Sequence, residues 1–310
     1  MKQLIQRVPL PISGVALGMA ALGNLLQSYS EVLRLLCGGL AALFLLLLIL
    51  KAVLCPDRIV QDLKDPVIAG VAATFPMSLM LLSVYVKPYI GTAALVVWYI
   101  ALAMHICLIL YVSLHFVAKF VLTNMVPSFF IVYAGIVVGS VTAPAYQLQA
   151  LGNILFWVGF LPYLAILVAV TYRYIKLPKL PNPAKPLLCI YTAPMSLCVA
   201  GYVQSVSPKS ATFLLVIFIA ALCLYAFALI WSLCCIRLPF YPSYASFTFP
   251  FVISAIAAKM TLGAMAKLGQ PLPWLEPLVL AMTVVAAVWT CYTYLRFILF
   301  LTEGHKPTSQ

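Results

Sequence analysis

Acidic residues are scarce, and where they are missing matters more than their number. The chain holds six Asp and Glu against 18 Lys and Arg. Glu31, Asp57, Asp62, Asp65, Glu276 and Glu303 all fall in polar links or at the ends of apolar runs. No carboxylate lies in the middle of an apolar run. Proton relays and cation sites inside membranes are built on buried carboxylates, so a carrier of that design is disfavoured. Acid–base and metal-assisted chemistry within a bilayer lose the same groups. The nine cysteines include no CxxC and no Cys/His metal spacing. Cys107, Cys189, Cys198, Cys223 and Cys291 sit in apolar runs, where cysteine acts as a small hydrophobe. Charge of either sign makes up only 8% of the chain. No basic stretch is long enough to follow a phosphate backbone, so the net charge of +12 does not point to nucleic acid. No cofactor and no enzyme activity are expected.

What the chain does have is apolar sequence, 65% of its residues. That places it among polytopic helical membrane proteins, with no room for a separate soluble domain: residues 1–310 read as one transmembrane domain in a lipid bilayer. Ten spans are expected, at 8–27, 31–54, 67–86, 89–116, 125–144, 150–173, 186–205, 210–236, 243–265 and 275–301. Pro9, Pro11 and the lack of a small-x-small site mark the first as a retained helix rather than a cleaved leader.

A short string recurs within these spans. Thr74-Phe75-Pro76-Met77-Ser78 returns as Thr192-Ala193-Pro194-Met195-Ser196, and in part as Thr248-Phe249-Pro250-Phe251. A proline inside a helix removes a hydrogen bond and bends the helix, so kinked helices are expected at these points. In a bilayer the freed carbonyl must find a partner or face a cavity. Pro11, Pro76, Pro127, Pro194 and Pro250 are separated by 65, 51, 67 and 56 residues. Two membrane crossings take about 60 residues, so the spacing predicts five helical hairpins in tandem. All would run in the same sense, with quasi-fivefold symmetry about the membrane normal and the odd helices lining a central pathway. Small residues favour the odd spans, as at Gly14 and Gly18, whereas even spans such as 43–50 are bulky and suit lipid.

Thirteen bases, Lys2 and Lys306 among them, fall on the side of both termini and five on the other. The positive-inside rule then predicts cytoplasmic termini in a cell membrane. The bases from Arg173 to Lys185 serve as a topology signal or meet lipid headgroups. With a basic surplus and no acid inside, any pathway would favour anions. His105 lies deep in an even span and is either hydrogen-bonded structure or a proton handler. Lys259 would snorkel to headgroups or line an anion vestibule. Phe249, directly before a repeat proline, is a packed core ring or a hydrophobic constriction.

Several segments resemble the tellurite-resistance/dicarboxylate transporter family, which includes the plant slow-type anion channels. Pro9-Leu-Pro-Ile-Ser-Gly14-Val-Ala-Leu17-Gly18 is similar to the family's first helix. Pro127-Ser128-Phe129-Phe130 is similar to the start of the fifth. Ala193-Pro194 with Val199-Ala200-Gly201-Tyr202 is similar to the seventh, and Ser246-Phe247-Thr248-Phe249-Pro250 to the ninth. The resemblance implies a homotrimer with one pore per protomer, occluded by Phe249. It also implies that Gly14, Gly18, Pro76, Pro127, Pro194, Thr248 and Pro250 line or shape the pore, with Lys259 as a possible vestibule residue. The expected function is conduction of small inorganic or organic anions. A proton-linked carrier of a C4-dicarboxylate such as malate, or of sulfite or tellurite, is the alternative. An intramembrane enzyme or a structural scaffold is more remote.

Overall fold

A computed structural model describes residues 5–302. Lys2, Glu303 and Lys306 lie outside the described residues, which contain helices and no strand. The α-helices are α1 (Ile12–Leu26), α2 (Glu31–Leu54), α3 (Pro56–Asp62), α4 (Pro66–Ala72), α5 (Thr74–Ile90), α6 (Thr92–Val112), α7 (Ser128–Ala134), α8 (Val137–Thr142), α9 (Gln149–Lys176), α10 (Thr192–Ser205), α11 (Ala211–Cys235), α12 (Phe249–Lys267) and α13 (Leu275–Thr302). Among the described residues eight helical segments are long and apolar enough to cross a membrane, or nine if the pair α7 and α8, bent by 45°, is one span. At 15 residues α1 is shorter than these, reaching about 22 Å against a hydrocarbon core of about 30 Å.

The helix starts follow ordinary capping chemistry. Ser30 Oγ accepts from the Leu33 N–H at the head of α2, and Asp65 Oδ1 from the Ile68 N–H at the head of α4. Ser210 Oγ does the same for Phe213 at the head of α11.

The repeat prolines open helices and do not kink continuous ones, contrary to the expectation from their position in the spans. Each stands within the first turn of a new helix. Pro11 and Pro127 are the N-cap residues of α1 and α7. Pro76 and Pro194 are the third residues of α5 and α10, and Pro250 is the second of α12. A first-turn residue has no intrahelical acceptor for its N–H, so proline costs nothing there and its fixed φ favours the start. Three of these helices continue an earlier helical piece: α4 runs into α5, the 3₁₀ segment Asn182–Tyr191 into α10, and the 3₁₀ segment Pro242–Phe247 into α12. The spans are therefore jointed, with proline opening the second piece.

Burial separates the spans into two sets. In the apolar stretches of Pro66–Ile90, Asn182–Ser205 and Pro242–Lys267, 67%, 94% and 67% of residues are buried. In α2, α6–Val117, α9, α11 and α13 the share runs from 28% to 44%. Nearly all of α1 is buried as well. Contacts between the buried segments are cyclic: α1 packs on α5, α4 and α5 on α7 and α8, α8 on α10, α10 on α12, and α12 on α1. Each exposed helix sits across two neighbours of this circuit, α2 on α1 and α5, α6 on α5 and α7, α9 on α8 and α10, α11 on α10 and α12, α13 on α12 and α1.

Buried serine and threonine hydroxyls stitch the circuit. Ser13 Oγ lies 2.6 Å from Thr74 Oγ1, and Ser205 Oγ donates to the Ser140 carbonyl at 2.6 Å. Thr192 Oγ1 lies 2.9 Å from Ser254 Oγ, and Thr248 Oγ1 donates to the Gly14 carbonyl at 3.0 Å. The first three pairs are 61, 65 and 62 residues apart, and the last, at 234, joins α12 back to α1. The threonine of each repeat string, Thr74, Thr192 and Thr248, thus bonds to a neighbouring segment. The Thr74 and Thr248 hydroxyls also bond within their own segments, to the Val71 and Ala245 carbonyls.

Candidate functional site: a cavity inside the helix circuit

A cavity of about 350 Å³ opens among the buried segments. Its outer lip comes from links: Asp65 before α4, Pro181, Pro183 and Ala184 before α10, and Tyr241 to Ser243 before α12. Deeper, the wall comes from Pro11 and Gly14 at the start of α1, Thr74 and Met77 of α5, Phe130, Ile131, Ala134 and Gly135 in and just after α7, Ala193, Pro194 and Leu197 of α10, and Phe249 and Pro250 of α12. The wall is predominantly apolar and, among the described residues, carries no Lys, Arg or His.

Gly14 and Gly18 lie one turn apart and do different work. A Cβ at Gly14 would meet only ordinary contacts, Ala245 Cβ at 3.4 Å and Thr74 at 3.9 Å, so its lack of a side chain leaves lumen open. A Cβ at Gly18 would come within 2.5 Å of Thr248 Cβ and 2.8 Å of the Phe249 nitrogen. Backbone cannot yield at that distance, so Gly18 permits close approach of α1 and α12 and does not line this cavity. The cavity wall stops at Gly14 on α1 and at Pro250 on α12, and Gly18 marks where the two helices close.

Phe249 stands in that last layer, 6% exposed. Its aromatic neighbours in sequence are held from outside the lumen. Phe251 lies 5.8 Å from Tyr225 and 6.3 Å from Trp289, centroid to centroid, and Phe247 lies 4.9 Å from Trp289. Phe130, the other phenylalanine on the wall, is pinned edge-on by Tyr191 at 4.8 Å and Tyr163 at 5.9 Å. Phe249 takes part in none of these ring pairs, so its rotation is limited by apolar packing alone.

Pro194 and Pro250 line the cavity; Pro76, Pro127 and Thr248 do not. Pro76 and Pro127 start helices behind the wall, and the Thr248 hydroxyl is engaged by Gly14 and Ala245. Lys259 sits beyond the closed end. Its Nζ donates to the Leu25 carbonyl at 3.2 Å and to Ser28 Oγ at 2.5 Å, and it lies 5.5 Å from the Tyr29 ring. It caps the C-terminal end of α1, where cations are favoured. Met77, Phe130, Ile131 and Leu197 are wall residues that sequence reasoning missed. Nothing separates them from other apolar residues in spans that are apolar on every side.

His105 of α6 is fully buried behind the wall, with Nε2 2.9 Å from the Val132 carbonyl. A carbonyl only accepts, so Nε2 carries the proton. Val132 lies just before the bend at Gly135, where the α-helical ladder is interrupted between α7 and α8. The imidazole supplies the donor that a broken helix in a membrane requires.

Two comparisons bear on this arrangement. A family model described as voltage-dependent anion channel matches residues 7–298. An uncharacterized transporter of Methanocaldococcus jannaschii is 25% identical over 234 residues, which cover 67% of this chain and 68% of the relative.

Proposed function

The chain belongs to the voltage-dependent anion channel family, and on that premise we propose that it conducts small anions passively through a pore in each protomer, shut at Phe249. The family and the transporter relative point to a channel or transporter with anionic substrates rather than to an enzyme. One observation carries the finer reading: Phe249 lies on the wall of an apolar cavity enclosed by α1, α5, α7, α10 and α12, and no other ring among the described residues pins it. A bulky apolar ring in a narrow lumen excludes water and stops hydrated ions. With no cation on the wall, anions would bind weakly, and hydration cost would set the order in which they pass.

The cyclic contacts and the near-regular spacing of the hydroxyl bonds support five tandem hairpins with quasi-fivefold symmetry. In this reading α1 and the bent pair count as crossings, making ten, and residues 1–310 form one transmembrane domain. We further read the chain as a homotrimer in a cell membrane, with both termini and the cavity lip on the base-rich, cytoplasmic side.

A carrier is the second reading, because a cavity of about 350 Å³ closed at one end could hold a malate-sized dicarboxylate, sulfite or tellurite. Flux into liposomes separates the two. A channel gives uptake that rises in proportion to chloride or nitrate concentration and is accelerated by Phe249→Ala. A carrier gives uptake that saturates with malate or sulfite and responds to a pH gradient.

A further inference from the structure

Among the described residues the lip of the cavity carries one carboxylate and no cation. We infer that Asp65 is a selectivity-setting residue of this pathway, a fixed negative charge that lowers anion concentration at the mouth and hinders anion entry from that side. The inference rests on the channel reading above.

Among the described residues Asp65 is the only Asp or Glu on the cavity wall, and no Lys, Arg or His lies there. Its side chain is exposed at the lip. Asp65 Oδ1 accepts from the Ile68 N–H at 2.9 Å, so the charge is held at the head of α4 rather than swinging into solvent. No ion pair cancels it. Among the described residues the salt bridges are Arg34 to Glu31 and Lys51 to Asp62, and neither involves Asp65. Arg7, Lys51 and Arg58 line a separate polar pocket together with Gln6 and Asp62, and Lys185, though its neighbours Ala184 and Leu187 are on the wall, is not itself on it. Lys64 precedes Asp65 in the chain but is not on the cavity wall. Among the described residues the lip of this cavity thus presents an acid and no base.

A charge at a pore mouth changes the local concentration of every permeant ion, and the effect is long-ranged only at low salt. Asp65→Asn is the suitable variant, because asparagine caps a helix as well as aspartate and removes only the charge. The background is Phe249→Ala, which removes the ring proposed as the gate. Purified Phe249→Ala and Phe249→Ala/Asp65→Asn proteins are compared in planar bilayers under a chloride gradient.

At about 10 mM salt the double variant is expected to carry about two- to threefold more chloride current, with the larger gain for chloride entering from the Asp65 side. Its reversal potential is expected to move closer to that of chloride. At about 1 M salt, where the screening length is about 3 Å, the two currents are expected to agree within about 1.3-fold. Equal currents at low salt would overturn the role of Asp65 and leave the channel reading standing. A gain that persists undiminished at high salt would overturn it too, because a charge effect must be screened. If Phe249→Ala itself passes no current after verified insertion, the channel reading falls and the role of Asp65 falls with it.

Discussion

The Thr248 hydroxyl donates to the Gly14 carbonyl at 3.0 Å, joining residues 234 positions apart. This bond closes the helix circuit, and it does so beside Phe249. Gly14 faces the cavity with its Cα and the next helix with its carbonyl. The position of the Phe249 ring is therefore tied to α1 through its own preceding residue. Thr248→Val keeps the shape and removes the donor. Losing this interhelical hydrogen bond costs about 0.5–1.5 kcal/mol, so a lower melting temperature in detergent is expected, with Thr248→Ser close to wild type.

The two glycines of α1 separate packing from lumen. Gly18→Ala places a methyl against the backbone of Phe249, and overpacking of this kind costs about 1–3 kcal/mol or more. Thermal melting should register it. Gly14→Ala adds a methyl at ordinary contact distance from Ala245 and Thr74, so folding is expected to hold. In the Phe249→Ala background it should narrow the pore and lower chloride conductance. Equal loss of stability in both variants would contradict this division.

Phe249 and Phe251 offer a second contrast two residues apart. Phe251 is fully buried against Tyr225 and Trp289, so Phe251→Ala should cost about 3–5 kcal/mol of stability. It should not open a conducting path. Phe249→Ala removes a ring that only the cavity and apolar neighbours contact. Its stability loss should be smaller, and anion flux should rise.

His105 is expected to act through its donor rather than as a proton relay. His105→Leu strands the Val132 carbonyl and should destabilise the bend between α7 and α8 by about 1–3 kcal/mol. His105→Gln, which keeps an N–H donor, should recover part of that loss. Proteolysis or melting in detergent reads both. Full stability in His105→Leu would show that the carbonyl finds another partner.

The helix order was legible in the sequence because apolar runs of about 20 residues have few other uses. The small residues of α1 and the bulk of α2 likewise announced which helix is buried and which meets lipid. The role of the prolines was not legible. Proline is tolerated both at a kink and in a first turn, and the segments before Pro194 and Pro250 are themselves helical, so no loop signal marks the joint. The repeat string drew attention through Pro76, Pro194 and Pro250, yet Thr74, Thr192 and Thr248 make the bonds between segments. Gly14 and Gly18 share one face of α1 by helical period. Only the height at which α12 crosses tells which of them meets a neighbour. Met77 and Phe130 stand in quoted motifs and Leu197 does not, yet none was marked as facing the lumen, since direction cannot be read from periodicity where every face is apolar.

The occlusion at Phe249 is tested most directly by voltage clamp of wild type and Phe249→Ala in planar bilayers under a chloride gradient. Large currents from the variant that reverse near the chloride potential, beside a nearly silent wild type, are the expected result. Equal silence from both, with insertion verified, would contradict a pore shut by this ring.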